Sequence, residues 1–181
     1  MDTLTLDCLC LKSVNWSESD RIVTLYAVDT GKISAKVKGC RKAGAKLAAA
    51  ASPLNFGRYY LTAVKNKYTV TGCDIYDTFF DIGNDIERYY AACVVIEFID
   101  KTQPDYDYNN DLMIASLDAL KRLCCRKDDS QDIVADFLTD ALRHIGYACE
   151  RGSLRRLGNF LYLKTDVVLS SLKGYLSMIG K

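Results

Sequence analysis

The 181-residue chain has a single histidine, no C-x-x-C pair, no glycine-rich phosphate loop and no G-x-S-x-G segment. A structural zinc site usually needs paired cysteines or a mixture of cysteine and histidine, so the eight cysteines predict no metal site. The missing phosphate loop, nucleophile motif and paired carboxylates argue against catalysis. We therefore expect a protein that is not an enzyme and has no catalytic residues and no cofactor.

Long apolar segments are also lacking, because no run of roughly eighteen apolar residues is available to span a membrane. Residues 1–7 contain neither a basic region nor an apolar run, so they do not resemble a secretory signal peptide. Cys93 and Cys124 lie within apolar patterns, where a free thiol behaves as a small hydrophobic group. These features predict reduced cysteines, a cytoplasmic location and no membrane partner.

The charge is nearly balanced over the whole chain, at a formal +1, but it is unevenly distributed. Residues 1–75 hold 11 Lys/Arg and 6 Asp/Glu, a net of +5, whereas residues 76–181 hold 13 and 17, a net of −4. A basic front half favours a polyanionic partner in that part of the chain. Many soluble domains carry such an imbalance by chance, so charge alone does not decide between the two interpretations.

The first 80 residues show the pattern of a β-structure. Ile33, Ala35 and Val37 alternate with polar and basic residues, as in a strand with one buried face. A glycine turn precedes them, and Lys65-Asn66 separates two later strands. The predicted strands are Thr3–Val14, Arg21–Val28, the segment around residues 33–37, Leu54–Val64 and Lys67–Tyr76. With a loop or one short helix after the third strand, they predict a five-stranded Greek-key barrel of the OB type.

From about residue 84 the apolar residues recur with a helical period. Ile86, Tyr90, Val94 and Phe98 are spaced four apart along the first helix. Asn84 and Ser130 are predicted to cap the first and third helices, Gly146 to end the third, and a break near Thr165 to divide the last helical region, residues 153–179. The fold class is thus α+β: an OB-fold nucleic-acid-binding domain over residues 1–80 and a helical domain over residues 84–181, with the junction near residues 79–84.

Several motifs in the front half occur in a recognisable order. A strand ending in Leu11–Ser13 leads into Trp16–Leu25, which contains Glu-x-Asp-Arg-Ile, and a Gly-Lys turn follows at Thr30–Ser34. The strand after that turn ends in the basic segment Val37–Lys42. This order resembles the RecO recombination mediators of bacteria. The likeness is dense over residues 9–65 and continues more loosely through Glu97, Phe137 and Gly146-Tyr147.

The resemblance implies a non-enzymatic role in recombinational DNA repair. RecO proteins bind single- and double-stranded DNA, anneal complementary strands and help to load recombinase, together with RecR and the C-terminal tail of single-stranded-DNA-binding protein. Many members carry a four-cysteine zinc module after the Gly-Tyr segment, where this chain has only Cys149. The closing helix nevertheless resembles that of the family, so we expect the module to be deleted or rebuilt rather than truncated.

Basic residues near the third strand are the main DNA-binding candidates, because released counterions supply much of the affinity for a phosphate backbone. The candidates are Lys36, Lys38, Arg41, Lys42 and Lys46, extended by Arg58, Lys65 and Lys67 around the second hairpin. The alternative is an edge strand whose lysines prevent aggregation. Aromatic residues that could stack on bases, or equally fill the barrel, are Trp16, Tyr26, Tyr59, Tyr60 and Tyr68.

Two basic clusters in the helical part lie beside leucines. They comprise Arg122, Arg126 and Lys127, and then Arg151, Arg155 and Arg156. Such clusters suit an acidic peptide that ends in a hydrophobic residue, as the tail of single-stranded-DNA-binding protein does. The alternative is a pair of amphipathic helices with ordinary polar faces.

Two other functions are compatible with the sequence. An OB fold can bind protein rather than nucleic acid, and Cys40, beside Lys38 and Arg41, could act as the nucleophile of a thiol enzyme. A thiol enzyme would need a base, for which His144 is the only histidine. Glu97 lies among apolar residues and is expected to form a structural salt bridge, because an isolated buried charge is costly.

Overall fold

The computed structural model describes residues 2–65, 67–125 and 127–180. These residues form two compact units. The barrel unit contains the chain up to Thr78 together with Gln103–Tyr108. The helical unit contains Phe79–Thr102 and the chain from Asn109 onward.

The barrel unit contains, within the described ranges, five strands that close on each other. They are β1 (Asp2–Asn15), β2 (Arg21–Ala27), β3 (Gly31–Val37), β4 (Phe56–Val64) and β5 (Lys67–Asp77), and a 3-10 turn at Ala49–Ala51 lies between β3 and β4. The order around the barrel is β1-β2-β3-β5-β4, with β1 also paired to β4. Only the β3–β5 pairing is parallel among these. This arrangement confirms the predicted five-stranded OB-type barrel.

Alternating apolar side chains fill the barrel. Val23, Leu25 and Ile33 point inward and are fully or almost fully buried, as the two-residue period of their strands requires. Cys8 and Cys10 lie in the same core as free thiols. Burial raises the pKa of Cys10 to about 12, so this cysteine remains protonated and packs as a small hydrophobic group.

The helical unit begins with a 3-10 turn at Phe80–Asn84. Its helices, among the described residues, are α1 (Ile86–Thr102), α2 (Asn110–Cys125), α3 (Ser130–His144), α4 (Leu154–Thr165) and α5 (Ser170–Met178). Phe98 of α1 and Phe137 of α3 meet edge to face in the core, with ring centroids 5.7 Å apart. None of the helices in these ranges has the length and hydrophobicity needed to cross a membrane.

Two predicted helix caps are each wrong by one residue. Asp85, rather than Asn84, caps α1, because its carboxylate accepts from the backbone N–H groups of Glu87 and Arg88 at 3.0 and 3.3 Å. Asp129, rather than Ser130, caps α3 and accepts from the N–H of Gln131 at 2.7 Å. Both positions hold two adjacent residues that can cap a helix, and tertiary packing selects between them.

The helix ends agree with the sequence. Gly146 has φ +95° and donates its N–H to the carbonyl of Arg143, while Tyr147 donates to the carbonyl of Leu142, which closes α3 in a Schellman-type turn. The predicted break near Thr165 is the end of α4.

Of the residues spaced four apart on α1, Val94 is buried but Ile86 is 65% exposed, so the predicted apolar face begins later than expected.

The segment Gln103–Tyr108 packs on the barrel, although it lies between two helices in the sequence. The N–H of Tyr106 donates to the carbonyl of Lys32 at 3.0 Å, and the rings of Tyr26 and Tyr108 are 5.8 Å apart. Gly31 has φ +87°, and a Cβ there would lie 2.4 Å from the carbonyl oxygen of Asp107. A glycine is therefore required at this position.

Candidate nucleic-acid interface

Two loops meet at one end of the β2–β3 hairpin. The β1–β2 loop is Trp16–Asp20, and the basic loop is Lys38–Lys46. Antiparallel pairing places Arg21, at the start of β2, opposite Val37, at the end of β3. The chain entering one strand and the chain leaving the other are consequently side by side.

Asp20 ties the two loops together. One carboxylate oxygen accepts from the N–H of Gly39 at 2.9 Å, and the other lies 2.9 Å from the Nζ of Lys36. Lys36 and the Gly39 N–H hold the pKa of Asp20 down at about 2, so the carboxylate is ionised across the physiological range. Lys36 therefore lies on the outer face of β3 and also forms a structural ion pair.

Arg41 makes a second link between the loops. Its backbone N–H donates to the carbonyl of Ser19 at 3.1 Å, and its guanidinium donates to the carbonyl of Ser17 at 2.8 Å. A guanidinium has five N–H donors, and the side chain of Arg41 is exposed. Donors remain available to an anion while the contact with Ser17 holds the arginine in place.

Three lysines of the basic loop are left uncompensated. Lys38, Lys42 and Lys46 are exposed, and no carboxylate of the described residues lies within ion-pairing distance of them. On the neighbouring strand, Lys36 pairs in register with Thr69, two residues from Lys67, so Lys36 and Lys67 share the outer face of β3 and β5. The structure thus places Lys36 and Lys67 on one outer face, and the other predicted cations of this region on the loop that continues β3.

Arg58 has a different environment. Its guanidinium binds both carboxylate oxygens of Asp7, at 2.9 and 3.2 Å, and lies 5.8 Å from the centre of the Tyr76 ring. The same contact with Arg58 lowers the pKa of Asp7. Asp74, on the next strand, accepts from the hydroxyl of Tyr60. The charge of Arg58 is therefore compensated locally, unlike that of the basic loop.

Lys65 and Lys67 are exposed beside the β4–β5 turn. Asn66, which the sequence places between them in that turn, lies outside the described residues. Among the aromatic candidates, Tyr59 is buried in the barrel core, and Tyr26 is buried on the opposite face of β2 against Tyr108. Trp16, in contrast, is 63% exposed. Trp16 belongs to the β1–β2 loop and is thus the aromatic candidate beside the basic loop.

In the helical unit, Asp136 joins the two predicted basic clusters. Arg122 lies 3.1 Å from Asp136 and 3.1 Å from Asp128. Arg151 lies 2.7 Å from Asp136 and also binds Asp132. Burial alone would raise the pKa of Asp136, but the two arginines outweigh it and lower the pKa. Arg122 and Arg151 are consequently engaged within the protein.

Arg155, Arg156 and Lys127 are exposed, and Arg126 lies outside the described residues. Arg155 borders a groove of about 770 Å³ between α4 and α5. The groove is also lined by Lys173 and by apolar side chains, including those of Leu169, Leu172 and Leu176. Lys173 was not predicted, because the sequence pattern does not show that the chain folds back at Asp166 to place α5 against α4.

Cys40, considered above as a nucleophile, and Glu97, expected to form a salt bridge, both have structural roles. Cys40 is only 6% exposed and its thiol donates to the carbonyl of Val37 at 3.3 Å, which does not suit an accessible nucleophile. Glu97 pairs with Lys101 at 2.7 Å and accepts from the N–H groups of Ser170 and Ser171 at 3.0 and 2.7 Å. The described residues contain no group of three or more His, Cys, Asp or Glu side chains that could hold a metal ion.

Known proteins match this chain in both units. A family model for the N-terminal domain of recombination protein O matches residues 1–79, and a model for its C-terminal domain matches residues 83–150. The DNA repair protein RecO of Acetivibrio thermocellus is 30% identical over 162 residues, covering 90% of this chain and 64% of the relative. That of Caldicellulosiruptor saccharolyticus is 30% identical over 173 residues, covering 91% and 70%.

The chain therefore spans 64% and 70% of the lengths of these two relatives. The DNA repair protein RecO of Heliobacterium modesticaldum is 35% identical over a shorter stretch of 98 residues. Two domains match in the same order as in the family, and the first two alignments cover about nine tenths of the sequence. The chain belongs to the RecO family, whose members named above are DNA repair proteins.

Proposed function

We propose that this chain is a non-enzymatic DNA-binding protein of recombinational repair, and that the basic loop is its principal DNA contact. The observation that carries the proposal is the uncompensated charge of Lys38, Lys42 and Lys46 on a loop tethered by Asp20 and Arg41. A tethered loop presents its cations at fixed places, so binding costs less ordering than it would for a disordered tail.

The arrangement favours phosphates over base edges. Lysines attract phosphate as flexible point charges, and the three lysines lie on a loop rather than on a helix or strand able to enter a groove. Binding is accordingly expected to depend little on sequence and to weaken as salt rises. Lys36, Arg41 and Lys67 extend the same surface, with Lys36 and Arg41 also holding the loops together. Arg58 and Lys65 are expected to contribute less. Arg58 is already paired with Asp7, and Lys65 lies in the β4–β5 turn rather than on a strand face.

A salt-titrated binding assay tests this function. A labelled oligonucleotide should bind the wild-type protein, and replacement of Lys38, Lys42 and Lys46 by Ala should flatten the log–log salt slope by about 2 on single strands, at about 0.7 per lost phosphate contact. The matched control replaces Lys121, Lys164 and Lys173 of the helical unit. A folded triple variant with the wild-type affinity and slope would place the DNA site elsewhere.

The family relationship supports a wider role. We propose that the chain anneals complementary strands and assists recombinase loading with RecR and single-stranded-DNA-binding protein, on both single- and double-stranded DNA. A strand-annealing assay with protein-coated complementary oligonucleotides should show acceleration by the wild type and a reduced rate for the triple lysine variant. Failure of wild-type protein to bind any oligonucleotide at low salt would favour an OB module that binds protein instead.

The groove between α4 and α5 is the site that we propose for the tail of single-stranded-DNA-binding protein. Leu169, Leu172 and Leu176 offer an apolar floor for a terminal hydrophobic side chain, while Arg155 and Lys173 can pair with acidic residues. Arg151 precedes α4 and Arg156 lies within it. Arg122, Arg126 and Lys127 lie further back in the sequence. Of this wider set, Arg122 and Arg151 are already paired with Asp136.

An acidic peptide ending in phenylalanine tests the groove. Arg155→Glu with Lys173→Glu should weaken its binding at least tenfold, because both charges reverse beside the same groove. Lys121→Glu with Lys164→Glu is the matched control and should have a small effect. Equal loss in both double variants would show that only the overall charge matters and would remove the groove from consideration.

A further inference from the structure

Trp16 combines an exposed aromatic side chain with a hydrogen-bonded backbone. Its indole is 63% exposed, although its backbone is fixed by a hydrogen bond from its N–H to the carbonyl of Asp20 at 3.0 Å. The next residue, Ser17, accepts the guanidinium of Arg41 at 2.8 Å. Single exposed apolar side chains are common on proteins, so exposure by itself assigns no role to the ring.

The neighbouring charges restrict what can cover the ring. The same contacts that fix the β1–β2 loop bind it to the basic loop, where Lys38, Lys42 and Lys46 have no carboxylate partner in the described residues. A ligand for this surface must therefore carry negative charge and also offer an apolar face. A nucleotide with an unpaired base satisfies both requirements, because its phosphate meets the cations while the face of its base is free to stack.

A duplex does not satisfy the second requirement. Its bases are already stacked on each other, so their faces reach a protein side chain only after unstacking, which costs free energy. Phosphates are equally available in single strands and duplexes. The lysines should consequently bind both forms, whereas an aromatic ring discriminates between them.

We infer that Trp16 stacks on an unpaired base and gives the basic loop a preference for single-stranded over double-stranded nucleic acid. This inference rests on the proposed function, since the lysines must first bring the strand to the loop. It assigns separate roles to neighbouring residues: charge supplies affinity for any phosphate backbone, and the indole supplies the preference for open strands.

Intrinsic fluorescence reports on this contact directly, because Trp16 is the only tryptophan in the chain. A single-stranded oligonucleotide should quench the emission of Trp16 in the 181-residue chain as it binds. A duplex of equal length, bound at low salt, should leave the emission nearly unchanged. Unchanged emission at saturating single-stranded DNA would overturn the inference.

Affinity measurements with labelled oligonucleotides provide a second test. Trp16→Ala should weaken single-strand binding roughly tenfold, as expected for the loss of one stacking contact, and should change duplex binding less than twofold. Trp16→Phe should retain most of the single-strand affinity, because a phenyl ring can still stack. The salt slope should be the same in all three proteins, since no phosphate contact is lost.

Phe80→Ala is the matched control, because Phe80 is an aromatic residue of the helical unit that is 75% exposed. It should alter neither affinity. Equal weakening of single-strand and duplex binding by Trp16→Ala, or no weakening of either, would refute the stacking role while leaving the proposed DNA binding intact. A wild-type protein that binds neither oligonucleotide would instead refute the proposed function itself.

Discussion

At the scale of single residues, Asp20 holds the proposed binding surface together through two electrostatic contacts. Its carboxylate contacts Lys36 and the N–H of Gly39, and its pKa is lowered from 3.8 to about 2. A carboxylate whose pKa is lower in the folded than in the unfolded protein stabilises the fold at a pH above its unfolded pKa. That contribution decreases as the pH falls through the folded pKa, when both states become protonated.

Asp20→Asn should therefore lower the free energy of unfolding by a constant amount between about pH 5 and 8. The difference from the wild type should narrow below about pH 4 and vanish only below about pH 2, where the carboxylate is protonated in the folded protein as well. Urea unfolding at a series of pH values measures it. Glu18→Gln, in the same loop, is the control and should show little effect. A difference that persists undiminished to pH 2 would mean that the ion pair and the Gly39 contact are not its source.

At the scale of secondary-structure elements, Glu97 connects α1 to α5. The N-cap residue of α5, Leu169, has no side chain able to cap, and Glu97 instead accepts from the N–H groups of Ser170 and Ser171. A negative charge at a helix N-terminus is favourable both through these bonds and through the helix dipole. Glu97, a residue of α1, therefore caps the N-terminus of α5.

Glu97→Gln should lower the free energy of unfolding by about 1 kcal/mol, because hydrogen bonds to a charged acceptor are replaced by neutral ones. The ion pair with Lys101 is lost as well. Urea unfolding at neutral pH gives the value, with Asp118→Asn, an exposed carboxylate of α2, as the control. Equal stability of the Glu97 variant and the wild type would show that the cap contributes nothing measurable.

The same elements show what a sequence can and cannot predict. Strands and their hairpins are predictable because alternation and turn residues are local features. The choice of Asp129 instead of Ser130 as the cap of α3 could not be predicted. Ser130 is buried by packing, and its hydroxyl bonds to Glu87 of α1 and Tyr175 of α5. Likewise, the outward position of Lys36 was predictable from strand alternation, whereas its pairing with Asp20 depends on the folded β1–β2 loop.

At the scale of the whole molecule, the two proposed ligands belong to different units. Hydrogen exchange should therefore show protection in a different unit for each ligand, because a ligand protects the backbone that it orders or covers. A single-stranded oligonucleotide should slow exchange in residues 16–20 and 38–46. The acidic peptide should slow exchange in residues 154–177.

Mass-spectrometric measurement with each ligand alone, and with the triple lysine variant as a control, tests this expectation. The variant should lose oligonucleotide protection and keep peptide protection. Protection of residues 154–177 by the oligonucleotide would contradict the assignment of the ligands to separate units.

The packing of Gln103–Tyr108 on the barrel has a consequence for the inheritance of this fold. The chain passes between the two units three times, because the barrel unit recruits six residues from the region between α1 and α2. A gene fusion or exchange that moved residues 1–78 alone would carry Gly31 away from the backbone of Asp107, for which its missing Cβ makes room. A change in the α1–α2 connection that removed this backbone would consequently leave the space beside Gly31 unfilled, so the barrel depends on a segment that lies far from it in the sequence.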